Sequence, residues 1–173
     1  MLVWDAFVRL AHWTLVSCVI AAWFARGAPH EWLGYAALVI VLLRIGWGIV
    51  GPRYARFAQF VRGPSPMLAY AGRVLGRKEE RYLGHNPLGG WMIVALLAML
   101  ALVSASGWLA TTDRYWGVEW VQDLHEGLAD VLAGLALVHL GGVAYASVRH
   151  RENLVGAMLT GRKRPPAAGD VSE

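Results

Sequence analysis

Four long apolar stretches constrain the fold of this chain more than any other feature. They occupy residues 8–25, 32–50, 88–110 and 124–148, and a helix of about 20 residues is enough to cross a hydrocarbon core about 30 Å thick. Only 16% of the residues are charged, against about 25% in soluble domains. The sequence therefore predicts an all-α integral membrane protein, a bundle of four transmembrane helices.

Basic residues are concentrated on one side of these four spans. Most belong to the loop between the second and third spans or to the segment after the fourth: Arg53, Arg56, Arg62, Arg73, Arg77, Lys78, Arg81, Arg149, Arg151, Arg162, Lys163 and Arg164. The opposite side carries only Arg26 and Arg114. Since loops rich in Lys and Arg stay in the cytoplasm, both termini are predicted to be cytoplasmic, in a multi-pass protein of the bacterial inner membrane. This topology accounts for the positive charge, and no nucleic-acid partner is expected.

The chain is predicted to consist of one domain and a short tail. Residues 1–160 hold the four spans, whereas residues 161–173 are basic and then rich in Pro, Ala and Gly, and are predicted to be disordered. In the long loop between the second and third spans, the apolar spacing of residues 67–75 predicts a short helix on the membrane surface.

Four of the six histidines lie in or at the ends of the spans, where a polar side chain is costly and usually has a partner. They are His12, His30, His125 and His139. His125 and His139 are 14 residues apart, so on a helix they share a face, within about 40°, and lie about 21 Å apart along the axis. One histidine is therefore expected near each side of the bilayer.

The other two histidines match these depths. His12 opens the first span on the side of His139, and His30 opens the second span on the side of His125. The sequence thus predicts two bis-histidine pairs, each able to fill both axial positions of a haem iron, which suits electron transfer better than the binding of a small ligand. The single cysteine, Cys18, excludes thioether attachment, so two non-covalent b haems are expected.

Two further histidines are alternative ligands. His150 follows His139 by 11 residues and lies on a similar helical face, and His85 lies in the loop before the third span. Both are also consistent with a solvated position at the cytoplasmic surface. His85 and Asn86, together with Arg44, form the predicted quinone site, because a quinone carbonyl needs a hydrogen-bond donor and access to protons.

Arg44 and Arg26 are the candidates for binding haem propionates. Each follows a predicted ligand by 14 residues, Arg44 after His30 and Arg26 after His12, and so lies on the face of that ligand at the depth of the other pair. A guanidinium there can bind a propionate or extend to the interface as long basic side chains do. On the fourth span, Gly127, Gly134 and Gly141 lie opposite the histidines. They indicate either close packing, within the bundle or in a homodimer, or only a smaller side-chain bulk on a membrane helix.

The order of these motifs resembles the bacterial cytochrome b561 family, which includes the b-type cytochrome subunits of nickel-iron hydrogenases. The matching segments are Arg9-Leu10-Ala11-His12-Trp13, His30-Glu31-Trp32-Leu33-Gly34-Tyr35, Arg44-Ile45-Gly46-Trp47-Gly48, Gly84-His85-Asn86-Pro87-Leu88-Gly89, Leu124-His125-Glu126 and Val138-His139. The resemblance implies a four-helix di-haem cytochrome that binds its haems through His12, His30, His125 and His139.

The predicted function is electron transfer within a respiratory chain, between the quinone pool and a periplasmic redox protein such as a cytochrome c. The protein is then an electron carrier rather than a stand-alone oxidoreductase. A superoxide:quinone oxidoreductase is the alternative, but it should attract its anionic substrate with positive charge, and only Arg26 and Arg114 are available. A non-haem metal transporter is a third reading, although transport sites usually gather their ligands near the midplane.

Overall fold

The computed structural model describes residues 1–172, and within them seven α-helices are the main elements. The helices are α1 Ala6–Phe24, α2 Ala28–Val50, α3 Phe57–Phe60, α4 Pro64–Leu75, α5 Pro87–Ala110, α6 Glu119–Arg149 and α7 Leu154–Thr160. Four of them, α1, α2, α5 and α6, are long and apolar enough to cross a membrane. No strand forms in the described residues, apart from two isolated bridges. The prediction of an all-α chain with four membrane-spanning helices is confirmed.

Local chemistry explains where the long helices begin. Val8 donates its backbone N–H to the Asp5 side chain at 3.1 Å at the start of α1, and Gly89 donates likewise to Asn86 at 2.8 Å at the start of α5. Such side chains satisfy backbone donors that have no partner within the first helical turn. α6 begins five residues earlier than its apolar stretch, at Glu119, where an acidic residue is favourable near the positive end of the helix dipole.

The chain divides into two compact units. The first unit comprises Met1–Arg9, Gly46–Val94 and the described residues from His139 onward, and the second comprises Leu10–Ile45 and Ala95–Val138. The first unit therefore holds the middle loop and both ends of the chain. The second holds His12, His30 and His125, whereas His139 belongs to the first.

A small apolar core and a buried charge network hold the first unit together. Val3, Trp4 and Ala157 form the core. Beside it, Arg81 pairs with Glu152 at 2.6 Å and also with Asp170, and all three side chains are less than one-tenth exposed. Buried charges of this kind are tolerated only when they are paired. The network therefore joins the middle loop to the end of α6 and to the tail.

Charged groups of the tail contact distant parts of the chain. Lys163 is buried and its Nζ donates to the carbonyls of Tyr82 and Leu83 at 3.1 and 3.0 Å. The N-terminal ammonium donates to the Lys163 carbonyl at 2.7 Å. Residues 161–172 thus make contacts with distant parts of the chain that composition does not reveal, and the disorder of the tail stays a prediction. Glu173 lies outside the described residues.

The helix predicted for residues 67–75 forms as α4, which begins three residues earlier at Pro64. Its Tyr70 is only 2% exposed and its ring meets the Tyr82 ring edge-on, with centroids 5.5 Å apart. Neighbouring carboxylates on Glu79 and Glu80 add to the effect of burial in raising the pKa of Tyr70 well above its usual range. α4 is therefore anchored to the rest of the middle loop through one aromatic side chain.

Candidate functional site

Two of the predicted ligands, His30 and His125, come together in the second unit. His30 lies in the first turn of α2 and His125 in the second turn of α6. Their ring centroids are 5.9 Å apart and the ring planes meet at 81°. Both side chains are half-buried. The structure therefore brings these two imidazoles close together with their planes nearly perpendicular, and their pairing on one haem stays a prediction.

The Nδ1 atom of each ring is bound to a backbone carbonyl. His30 Nδ1 lies 2.8 Å from the Ala22 oxygen, one of the carbonyls in the last turn of α1 that lack a helical partner. His125 Nδ1 lies 3.1 Å from the Val103 oxygen on α5. A carbonyl only accepts, so each Nδ1 carries the proton and each Nε2 keeps a free lone pair. This is the usual arrangement of a histidine that binds a metal through Nε2.

Ser106 gives His125 a second polar neighbour. The Ser106 hydroxyl is buried, lies 3.1 Å from His125 Nδ1 and donates to the Val103 carbonyl at 2.9 Å. Since its proton is used in that bond, its oxygen is left to accept from His125 Nδ1–H. The His125 proton is thus shared between the Val103 carbonyl and the Ser106 hydroxyl, which orients the ring.

Two glycine residues leave space at the histidine pair, one for the ring of His125 and one near His30. A Cβ atom at Gly107 would lie 3.0 Å from His125 Cε1 and 3.3 Å from Nδ1, closer than most real Cβ contacts allow. A Cβ at Gly34, one turn after His30, would meet no heavy atom within 4 Å. The absence of a side chain at Gly107 therefore permits the observed position of His125, and the space next to His30 is open.

The distance between the two ring centroids is compatible with a metal bound by both rings. An imidazole nitrogen lies about 2.0–2.1 Å from a metal such as zinc, and two trans imidazoles at such distances have centroids roughly 6 Å apart. The observed 5.9 Å agrees. No group of three or more His, Cys, Asp or Glu side chains in residues 1–172 could hold a metal ion. The pair thus supplies two nitrogen ligands, as a planar tetradentate cofactor such as haem requires.

The other predicted pair is divided between the two units, so its pairing stays a prediction. His12 is half-buried in the second unit, and its ring meets Trp13 edge-on with centroids 5.1 Å apart. His139 is half-buried in the first unit.

Of the two arginines predicted to bind propionates, Arg44 is only 5% exposed, whereas Arg26 is exposed. Arg44 is thus a buried guanidinium within a membrane-spanning helix, a position that favours a functional interpretation over a surface one.

The residues predicted for a quinone lie in the first unit and already have structural contacts. The His85 ring lies between two aromatic rings, with centroid distances of 4.4 Å to Trp4 and 4.7 Å to Phe60. The side-chain oxygen Oδ1 of Asn86 accepts from the backbone N–H of Gly89 at the start of α5, which leaves the side-chain Nδ2 as the group available to a ligand. Packing therefore explains part of why these residues are here, and a quinone contact stays a prediction.

Sequence reasoning missed the residues that support the histidine pair. Ala22 and Val103 act through backbone carbonyls, which give no sequence signal. Ser106 and Gly107 belong to a run of small residues, Ser104-Ala105-Ser106-Gly107, inside an otherwise apolar helix. That run was the one available signal, because small and hydroxylated side chains allow another helix to approach closely.

Comparison with known proteins gives one match. A family model described as prokaryotic cytochrome b561 matches residues 3–161, which include all four long helices and every predicted ligand. No curated protein and no solved structure matches the chain significantly.

Proposed function

The chain belongs to the prokaryotic cytochrome b561 family, and from this premise we propose that it carries electrons through a membrane between a quinone and a redox protein on the opposite side. Membership of this family indicates a b-type cytochrome that transfers electrons in a membrane. The four apolar helices contact the lipid. The number of haems, their ligands and the two redox partners are our proposal.

The observation that carries the proposal is the His30–His125 pair. Its centroid distance of 5.9 Å and its two Nδ1–carbonyl hydrogen bonds suit a haem bound through both Nε2 atoms. When bound there, haem supplies reversible one-electron chemistry at iron, with no open position for a small ligand. The protein orients the two imidazoles from α1 and α5, and sets their basicity through the hydrogen bonds at Nδ1.

A second haem is assigned to His12 and His139. The support is the spacing of 14 residues between His125 and His139 on the continuous helix α6, which directs both side chains to one face at two depths. His12 lies in the second turn of α1, and His30 lies in the first turn of α2. Arg44 and Arg26 are proposed to bind propionates, and the burial of Arg44 supports its role because an enclosed guanidinium favours an anionic partner.

The proposed path runs between the two membrane surfaces. Following the charge distribution, both termini and the middle loop face the cytoplasm of a bacterial inner membrane. A quinone is proposed near His85, Asn86 and Arg44. A periplasmic protein such as a cytochrome c is proposed near the acidic residues Asp113, Glu119, Asp123 and Glu126, which lie just before α6 and in its first two turns. A homodimer through the exposed glycines of α6 is compatible with this arrangement.

Haem stoichiometry tests the proposal. The pyridine haemochrome of the purified wild-type protein should give two haems per chain. Replacement of His30 or His125 by alanine should remove one haem, and replacement of His12 or His139 should remove the other. His85→Ala and His150→Ala are the matched controls, which should keep both. Full haem content in His30→Ala and His125→Ala, or haem loss in the two controls alone, would contradict the ligand assignment.

A further inference from the structure

Three exposed arginines surround an open depression in the C-terminal part of the first unit. Arg151 precedes α7, and Arg162 and Arg164 follow it. The depression has a volume of about 380 Å³, within the range of roughly 300–1,000 Å³ that is usual for small-molecule sites. The floor is formed by one face of α7, with Asn153, Gly156, Ala157 and Thr160. The site is therefore large enough for a charged headgroup.

The positive charge of this depression is not neutralised by the protein. Within residues 1–172, the guanidinium groups of Arg151, Arg162 and Arg164 form no hydrogen bond or salt bridge. The one carboxylate in the lining, Glu152, is bound by Arg81 and Lys163. Asp170 interacts with Arg164 at longer range, but its own salt bridge is with Arg81. Three exposed guanidinium groups thus share one concave surface without a counter-ion.

Guanidinium groups bind phosphate oxygens through paired, charge-assisted hydrogen bonds. The depression follows directly on α6, which ends at Arg149, and Val148 in the last turn of α6 is 81% exposed. On α7, Val155 and Leu159 are 51% and 58% exposed. They lie one residue before Gly156 and Thr160, about 100° around the helix from the floor of the depression. An apolar edge suited to acyl chains therefore borders the positive site.

We propose that Arg151, Arg162 and Arg164 bind the phosphate of an anionic phospholipid, whose acyl chains lie against Val155 and Leu159. The exposed apolar edge favours a lipid over free phosphate as the source of the anion. Arg162 and Arg164 lie beyond residue 161, where the family match ends. None of the three arginines is a proposed haem ligand, so the test of this site needs no electron transfer.

The experiment is a lipid titration of the purified full-length protein in detergent, followed by native mass spectrometry. The probes are dioleoyl phosphatidylglycerol, dioleoyl phosphatidylcholine and sodium phosphate. We expect wild type to retain phosphatidylglycerol more tightly than phosphatidylcholine. The triple variant Arg151→Gln, Arg162→Gln, Arg164→Gln should bind phosphatidylglycerol at least about tenfold more weakly, because each basic residue near a surface contributes to the attraction of anionic lipid.

The matched control removes the same charge elsewhere in the first unit. Arg56, Arg77 and Lys78 are exposed, and Arg77 has a positive φ of 54°, as Arg151 has one of 49°. The control triple, with Gln at each position, should change phosphatidylglycerol binding by no more than roughly twofold. An equal loss in both triples would show attraction to overall charge and overturn the site.

Results of two other kinds would also overturn it. One is unchanged phosphatidylglycerol binding in the Arg151, Arg162 and Arg164 triple. The other is displacement of the lipid by sodium phosphate, or equal retention of phosphatidylcholine, which would refute an anionic lipid as the ligand. If the triple does not fold, as judged by size-exclusion chromatography, the double variant Arg162→Gln, Arg164→Gln keeps the test. It leaves Arg151, the residue with a positive φ, unchanged. It should still bind phosphatidylglycerol severalfold more weakly than wild type.

Discussion

The Ser106 hydroxyl lies 3.1 Å from Nδ1 of His125 and at the same time donates to the Val103 carbonyl at 2.9 Å. Its oxygen therefore accepts from the His125 ring, and the hydroxyl adds electron density to the imidazole. A more basic axial ligand stabilises ferric over ferrous iron. Ser106 is thus a positioning residue that acts on the proposed haem through His125.

Ser106→Ala should raise the midpoint potential of one haem. A net hydrogen bond contributes about 0.5–1.5 kcal/mol, and since about 59 mV corresponds to a factor of ten for one electron, a rise of roughly 20–60 mV is expected. Potentiometric titration of the visible spectrum measures it. Ser106→Thr keeps the hydroxyl and should restore the wild-type value. Ser104, a second buried serine of α5, is the control, and an equal shift in Ser104→Ala would refute a specific role for Ser106.

Gly107→Ala should weaken haem binding at the same site. The new methyl group would lie 3.0 Å from His125 Cε1, so the ring must move away from its observed position. Alanine is the better helix former, so a loss cannot come from helix propensity. Haem content per chain should fall below two. Gly127→Ala, where a Cβ meets no atom within 4 Å, is the matched change on α6 and should leave the haem content intact. Equal haem content in the two variants would contradict the steric argument.

Glu152→Gln should destabilise the first unit strongly. Glu152 is the carboxylate shared by Arg81 and Lys163, at 2.6 and 3.6 Å, and its removal leaves two buried cations with only Asp170 to balance them. Breaking a buried ion pair costs about 3–5 kcal/mol. Thermal unfolding in detergent should therefore occur at a clearly lower temperature than in wild type.

Glu80→Gln is the matched control for that measurement. The Glu80–Arg73 pair at 3.3 Å is about four-tenths exposed on both sides, and exposed pairs contribute about 0–1 kcal/mol. The two carboxylates belong to the same unit and undergo the same chemical change. If both variants unfold at the same temperature, the buried ion pairs of Glu152 stabilise the fold no more than an exposed ion pair does, which contradicts this prediction.

The same carboxylate should make stability depend on pH. Burial alone would raise the pKa of Glu152, but the hydrogen bonds from Arg81 and from the Arg164 backbone N–H, with the charge of Lys163, lower it below its usual 4.5. The folded state therefore binds the proton less readily than the unfolded state. The contribution of Glu152 is complete above about pH 4.5 and is lost as the pH falls through the folded pKa.

The difference in unfolding temperature between wild type and Glu152→Gln measures this contribution. It should be constant from neutral pH to about pH 5 and decrease at lower pH. A difference that grows on acidification would have the wrong sign for a carboxylate with a depressed pKa.

The sequence predicted the parts of the fold that depend on local composition. The four spans follow from length and hydropathy, and their observed ends differ by up to five residues, because α6 begins among polar residues at Glu119 that a hydropathy criterion leaves out. The His30–His125 pair was predictable because helix direction and depth alone bring the two residues to one level. Spacing along a helix needs no knowledge of side-chain packing.

The remainder depended on contacts between distant residues. Composition predicts disorder after Thr160, and it gives no indication that Lys163 and Asp170 bind residues that precede them by about 80 to 90 positions. The partners of His30 and His125 are carbonyl groups of Ala22 and Val103, and every residue has a carbonyl. Neither relationship has a motif, so only the three-dimensional structure reveals it.

The central claim is that His30 and His125 are the two axial ligands of one haem. The most direct test is the low-temperature electron paramagnetic resonance spectrum of the ferric His125→Gly protein, before and after addition of imidazole. The variant should lose one low-spin ferric signal and gain a high-spin one, and imidazole should restore the low-spin signal by occupying the vacated position. Two unchanged low-spin signals in the variant, with no response to imidazole, would contradict the claim.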